Sequence, residues 1–466
     1  MADRTRTATR PSAGTNEAAD ARTREKNVFV VGLDDANLPT LRAARGGEHI
    51  RFHPLLGIDR LQHGEVSVAE LRAEAEEILD GFDEPIDAIV GYWDFPVSTL
   101  VPLLAERYGT RATSLDSVVK CEHKYWSRLE QAAVVDDHPR FGQVDLGADE
   151  PLPPEGMNFP MWVKPALSYS SELAFGVGNQ EEFAAAVARI RDGVARVGRP
   201  FEYILDQVST PPEMAGVGGQ VCLAEETMTG VQAAVEGYVH DGEVTVYGVL
   251  DSINYPDSSS FLRHQYPSRL PEDVIRRLHD ISGRVMRRIG MEGATFSIEY
   301  FYDPETGDIG LLEINPRHSQ SHAELFEYVD GVPNHHVMLG LALGTDHTMP
   351  FREGEYAMAA KWYYRRFSDA AVHEVPTPAD IARIEMDIPG VRIDVRPHEG
   401  ERLGELPEQD SYSYEVAHIF TGGRDEDELR EKYDRVVAAL DLDFAEPVGG
   451  TSTGTGTSTS TSTSTD

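Results

Sequence analysis

Lysine is scarce in this chain of 466 residues: of 42 Lys and Arg residues, only six are lysine (26, 120, 124, 164, 361 and 432). Against them stand 79 Asp and Glu, for a formal net charge of −37. A chain so short of positive charge is a poor partner for nucleic acid or an anionic membrane. Its acidity favours solubility and tolerance of salt, where screening weakens self-repulsion. A GC-rich genome accounts for arginine over lysine but not for the excess of acids. The expectation is a halophilic, salt-adapted cytoplasm, so stability should rise from dilute buffer to multimolar KCl. Unfolding curves across that series test it, and maximal stability in dilute buffer would refute it.

Cysteine is equally scarce. Cys121 and Cys222 are the two present, with no Cys-x-x-Cys pair, which excludes a disulfide framework. No apolar run reaches transmembrane length. Residues 1–26 are polar and lack the apolar centre of a secretory leader, so a disordered arm is expected there. Residues 447–466 form a Gly/Ser/Thr tail unable to bury a core. There is no G-x-x-x-x-G-K-[ST] and no G-x-S-x-G, and Gly32 at the end of the first apolar run stands alone, outside any G-x-G-x-x-G. P-loop, α/β-hydrolase and N-terminal dinucleotide-site readings therefore fall away.

What is present divides into segments. Apolar runs at 27–34, 50–53 and 86–91 alternate with helical patterns at 38–45, 68–79 and 96–108. That βαβαβ rhythm predicts a doubly wound parallel sheet over 27–115. Helix is expected at 117–131, loop at 139–160, strand at 161–165 and helix at 180–197. Strands are expected at 201–208, 222–226, 231–240 and 244–251, with a turn at Asp241-Gly242. Helices are expected at 271–289 and 335–343, then an α+β segment over 351–446 ending in a helix near 426–440. The predicted fold class is α/β with α+β.

The most informative stretch is Phe296-Ser-Ile-Glu299-Tyr-Phe-Tyr, then Asp303-Pro-Glu-Thr-Gly307-Asp, then Leu311-Leu-Glu313-Ile-Asn315-Pro-Arg317. Two strand-like runs flank a Pro/Gly turn. Folding about residue 306 places Glu299 opposite Glu313, with Asn315 on the face of Glu313. Like charges across a strand pair are destabilising. Two readings follow. The hairpin is solvated and its acids are ordinary surface groups, or a hard cation bridges them, since carboxylates and an amide oxygen suit Mg2+ or Mn2+. Arg317 would then be a fixed cation for a phosphate.

Other residues carry paired readings too. Lys124 is a surface helix lysine or a phosphate ligand, and Lys164, ending its strand before Pro165, has the same functional reading. Ser168, Ser170 and Ser171 fall in a flexible, Ser-rich polar loop, and Glu225 and Glu226 face solvent or a base edge. His318 and His322, spaced i, i+4, hold a metal, line an acceptor pocket or are merely polar. Arg263 and His264 grip a substrate carboxylate or belong to a structural ion pair. Trp93 and Asp94 sit at the strand end where α/β sheets bind ligands.

The order Lys124, Lys164-Pro165, Glu225–Gly230, Glu299, Glu313-Ile-Asn315-Pro-Arg317 resembles the ATP-grasp superfamily. The segment from Ile314 through Val329-Asp-Gly-Val-Pro333 to Gly344 resembles its carbamoyl-phosphate-synthetase, biotin-carboxylase and amino-acid-ligase members. The resemblance implies a pre-ATP-grasp Rossmann-like domain at 27–115, an ATP-grasp domain at 116–350 and a small C-terminal α+β domain at 351–446. It implies that Lys124 and Lys164 bind ATP phosphates beneath the loop of Ser168, Ser170 and Ser171. Glu225 would face the adenine amino group, next to Glu226, with Met228 supplying hinge backbone. Gln232 stands where the family often has a ribose-binding acid. Glu299, Glu313 and Asn315 would be the Mg2+ (or Mn2+) ligands, and Arg317 the catalytic cation. The implied activity is an ADP-forming carboxylate–amine ligase working through an acyl phosphate. Its partners would be small carboxylates and amines, and a homodimer is the default oligomer. The alternatives are a biotin-carboxylase-like enzyme, for which no Met-Lys-Met carrier sequence is present, and a non-catalytic ATP-binding regulator.

Overall fold

The structure, a computed structural model, describes residues 24–62, 67–167, 173–406 and 413–445. The N-terminal arm up to residue 23, the tail at 447–466, and Ser168, Ser170 and Ser171 lie outside the described residues, whereas Lys26, expected in the arm, opens the first strand. Two compact units emerge. The larger takes residues up to Ile253, Arg263–Lys361 and Gly422–Leu429; the smaller takes Asn254–Leu262, Trp362–Thr421 and residues from Arg430.

In the larger unit, β1 (Lys26–Val31), β2 (Ile50–Leu55) and β3 (Ala88–Val90) form a parallel sheet in the order β2-β1-β3. Both faces of β1 and β3 are buried. Phe29, Val31 and Ile89 enter one core, while Val28, Val30, Ala88 and Val90 enter another with Leu339 and Ala342. That explains why these strands read as continuous apolar runs. Helix Val68–Asp80 buries Val68, Leu71, Ala75 and Leu79, a single helical stripe, and Ser67 caps it.

Next come β4 (Phe141–Val144), β5 (Met161–Pro165), β6 (Phe175–Val177) and β7 (Cys222–Glu226), an antiparallel sheet ordered β4-β7-β5-β6. Helix Gln180–Gly193 covers it with Phe183, Ala186, Val187 and Ile190. β8 (Val231–His240), β9 (Glu243–Asn254), β10 (Phe261–Tyr266), β11 (Ala294–Tyr302) and β12 (Ile309–Asn315) follow, ordered β12-β11-β8-β9-β10. Helix Glu272–Ile289 packs beneath them, burying Leu278, Ile281 and Val285 against Val235, Phe296, Ile298, Tyr300, Leu311 and Ile314.

Three expectations change. Residues 201–208 are largely helix (Ala195–Leu205), because Phe201, Ile204 and Leu205 recur at helical spacing and bury together. The helix expected at 117–131 is two, Leu115–Glu122 and Lys124–Ala132, with His123 ending one and capping the next through its bond from Trp126 N (3.3 Å). The loop expected at 139–160 contains β4, and both β10 and helix Ala323–Asp330 are additions.

The smaller unit holds most of β13 (Met358–Arg366), β14 (Ala371–Glu374), β15 (Val391–Val395), most of β16 (Tyr414–Gly423) and β17 (Asp443–Ala445). β15 pairs antiparallel with β16 and β14 with β17, around Ala370, Val372, Leu403 and Val416. Among the described residues, no helix is long and apolar enough to cross a membrane.

Candidate active site

The hairpin of β11 and β12 sets Glu299 opposite Glu313 and Ser297 opposite Asn315. A bulge makes this possible. Tyr300 pairs with Leu311, and the register then slips by one between Tyr300 and Glu299. Leu311 and Ile314 thereby both reach the core beneath, while Glu313 and Asn315 face the other side with Glu299. Without the bulge, Glu299 would oppose Leu312.

The acid pair is electrostatically uncomfortable. Burial, with the like charge of Glu313 behind it, pushes Glu299 up to about 8. Gln232 Nε2 donates to Glu299 Oε2 at 2.8 Å, so this side chain is occupied at the acid pair. Lys124 Nζ stands 3.7 Å from Glu313 Oε2. Lys124 opens its helix at the break after His123, and its backbone N–H donates to Ala166 O (2.9 Å). Arg317 meets one oxygen, Asp94 Oδ1, with both Nε (2.7 Å) and Nη2 (2.6 Å), and donates from Nη1 to His318 O (3.2 Å). It also borders a cavity of about 70 Å3 lined by Trp93, Ser98, Val118, Thr295 and Leu341.

A second cluster lies at β7. Lys164 Nζ sits 2.7 Å from Glu225 Oε2. Arg128 reaches the same carboxylate through Nε (2.8 Å) and Nη2 (3.2 Å). Burial works to raise Glu225, but Arg128 and then Lys164 overcome it and hold the carboxyl at about 2. Glu225, expected to face an adenine edge, is instead enclosed by two cations and 2% exposed. The exposed Glu226 and the backbone through Met228 remain as the part of the hinge a base could meet. Met228 packs on Gly310, where an added Cβ would lie 2.3 Å from its sulfur. Gly230 takes φ +109, and a Cβ there would meet Tyr302 O at 2.1 Å, so only glycine fits the end of the hinge.

Sequence reasoning missed Arg128. Its Nη1 donates to Leu311 O (3.0 Å) and Gln131 Oε1 (2.5 Å), and its Nη2 to Leu312 O (2.6 Å). One guanidinium thus ties the bulge of the acid hairpin to the hinge acid. The available signal was its i, i+4 spacing from Lys124, which puts both on one helix face. Glu122, also missed, is pushed up to about 7 by burial and by Asp94. Of the paired readings, Arg263 sits in an ion pair with Glu426 (3.3 Å), and Asp94 is the partner of Arg317.

Residues 157–323 match the ATP-grasp domain family. A D-alanine–D-alanine ligase of Kineococcus radiotolerans is 30% identical over 168 residues, covering 34% of this chain and 40% of that protein. The carbamoyl phosphate synthase large chain of Xylella fastidiosa is 35% identical over 75 residues, 16% of this chain and 7% of that one. The chain therefore spans less than half the length of these relatives. Among solved structures, an L-amino acid ligase from Bacillus licheniformis superposes with a TM-score of 0.67 at 14% identity, covering 91% of this chain and all of that one (100%). A biotin carboxylase from Campylobacter jejuni gives 0.61 at 15% identity, covering 91% and 93%. Motif order, matched span and fold agree: residues 157–323 form an ATP-grasp domain.

Proposed function

We propose that this protein is an ATP-dependent, ADP-forming ligase that activates a carboxylate as an acyl phosphate and joins it to an amine. The observation that carries this reading is the facing pair Glu299–Glu313 with Asn315 on the same face, flanked by Lys124 and Arg317. The donor set fits a hard divalent cation. Three oxygen-bearing side chains share one face, and the like charge of Glu313, which adds to burial in raising Glu299, is what such an ion would neutralise. Glu299, Glu313 and Asn315 would hold Mg2+ or Mn2+; when bound, the ion supplies charge neutralisation to the triphosphate.

The chain's own residues do the rest. Lys124 and Lys164 meet phosphate oxygens as compact cations. Glu225, fixed by Arg128, aims the Lys164 ammonium and opposes the lowering of its pKa by burial. The hinge from Glu226 to Met228 borders the base. Arg317, braced by Asp94, faces the transferring phosphoryl group and the acyl phosphate it leaves. L-amino acid ligase and D-alanine–D-alanine ligase among the relatives make amino acids the first carboxylates to try. An ADP-release screen over amino acids and small carboxylates, with product masses, tests the reading. The expected result is substrate-dependent ADP with a product equal to the two substrates less water. ATP binding without stimulated ADP release across the screen would overturn it.

A further inference from the structure

Two oxygens near Arg317 are buried and have no hydrogen-bond partner among the described residues, Glu122 Oε1 and Ser98 Oγ. Glu122 ends the helix Leu115–Glu122, and Ser98 lies in the first turn of the helix Val97–Tyr108. The Ser98 hydroxyl, Lys124 and Arg317 all favour the charged form of Glu122, but burial and Asp94 oppose them and prevail. Both cations are engaged with other acids. Arg317 meets Asp94 Oδ1 at 2.6 Å, and Lys124 stands 3.7 Å from Glu313 Oε2. A buried oxygen without a donor is costly. The last torsion of a glutamate is broad, so the carboxylate turns readily toward an arriving group. An ammonium group supplies what is lacking: N–H donors for both oxygens and a counter-charge for Glu122.

The space beside this pair has a definite size and character. Ser98 and Arg317 both line the cavity of about 70 Å3, whose other walls include the apolar Trp93, Val101, Val118 and Leu341. Val118 precedes Glu122 by one helical turn, so the two share a helix face. An apolar cavity of about 150 Å3 holds benzene, so this one suits a chain of about three carbons. An anion with a hydroxyl, a cation and a small apolar recess thus adjoin one another. We propose that they form an amino-acid subsite: Glu122 and Ser98 hold the α-ammonium group, the cavity takes a short aliphatic side chain, and the carboxylate to be phosphorylated lies at Arg317. This rests on the ligase reading above and names its carboxylate as a small aliphatic α-amino acid. A plain carboxylic acid leaves Glu122 without its counter-charge, and a long or charged side chain does not fit the recess.

A matched pair of substrates separates this role from a structural one. The full chain is assayed for ADP release with ATP, Mg2+ and either norvaline or valerate, which differ by the amino group. Hydroxylamine is the common nucleophile, so the carboxylate alone varies. The wild type should prefer norvaline. Glu122→Gln, which keeps the shape and removes the charge, should lower kcat/KM for norvaline by about 10- to 100-fold, the scale of a hydrogen bond to a charged group, and leave valerate nearly unchanged. Val118→Ala, which enlarges the recess, should shift the preference from norvaline toward norleucine. Thermal unfolding of each variant is measured alongside. Equal losses for norvaline and valerate in Glu122→Gln, or a wild type that uses valerate as readily as norvaline, would overturn the subsite and leave the ligase reading standing. Calorimetric titration of the wild type with norvaline, in the presence of a non-hydrolysable ATP analogue, distinguishes the opposite case. Binding that Glu122→Gln abolishes, without ADP release from any carboxylate, would uphold the subsite and sink the ligase reading; neither binding nor ADP release would sink both.

Discussion

Arg317→Ala is expected to lower substrate-dependent ADP formation by about 10³-fold or more, the scale seen when a cation facing a transferring phosphoryl group is removed. The side chain is braced rather than swinging: Asp94 holds both Nε and Nη2, and Nη1 bonds His318 O. Preorganisation of that kind is what makes one guanidinium effective, since no reorganisation is needed as charge develops. Arg317→Lys should recover little, because a point charge cannot keep the forked contact to Asp94. Asp94→Asn should cost less than Arg317→Ala, leaving the cation present but less constrained. Turnover is measured alongside thermal unfolding. Near-wild-type turnover in a folded Arg317→Ala protein would remove Arg317 from the mechanism.

The second large effect concerns folding. Arg128→Ala strands the Glu225 carboxylate, 2% exposed, with Lys164 alone, and leaves Leu311 O and Leu312 O without their guanidinium donor. Breaking a buried pair by deleting one partner costs about 3–5 kcal/mol. Urea unfolding should show that loss, and a change under about 1 kcal/mol, the level of an exposed pair, would refute the role. The pH dependence has a definite sign. Glu225 sits at about 2 in the folded chain against an ordinary 4.5. Its contribution is therefore complete above pH 4.5 and declines as pH falls from there through 2. In Arg128→Ala, with the stronger of the two cations gone, the decline should still start near 4.5 but be smaller and end at a higher pH.

How much of this was readable beforehand follows from the range of the interactions involved. The acid hairpin was legible because its signals are local: a Pro/Gly turn, strand-like runs and the spacing of Glu299 and Glu313. The parallel sheet was legible for the same reason, since a strand buried on both faces must be apolar throughout. Arg128 was not, because an arginine on a helix is usually a solvated one, and only the arrival of β7 and β12 from far along the chain encloses it. His322 and His264, whose ring nitrogens meet at 3.0 Å, read as separate polar residues because 58 positions part them. β10 went unrecognised because Phe261-Leu-Arg-His-Gln-Tyr lacks clean alternation. Residues 201–208 misled through their aromatic and β-branched content, although Phe201, Ile204 and Leu205 already carried the helical interval.

The bulge between Tyr300 and Glu299 also has a consequence for how this hairpin tolerates change. Phase at the acids is set locally, by the slipped pair and by the guanidinium latched onto Leu311 and Leu312, and not by the length of the connecting turn. Insertions among residues 303–308 should therefore be absorbed at the tip, and deleting Leu312, the extra residue of the bulge, would leave a regular ladder with Glu299 still opposite Glu313 while removing one of the two carbonyls that Arg128 holds.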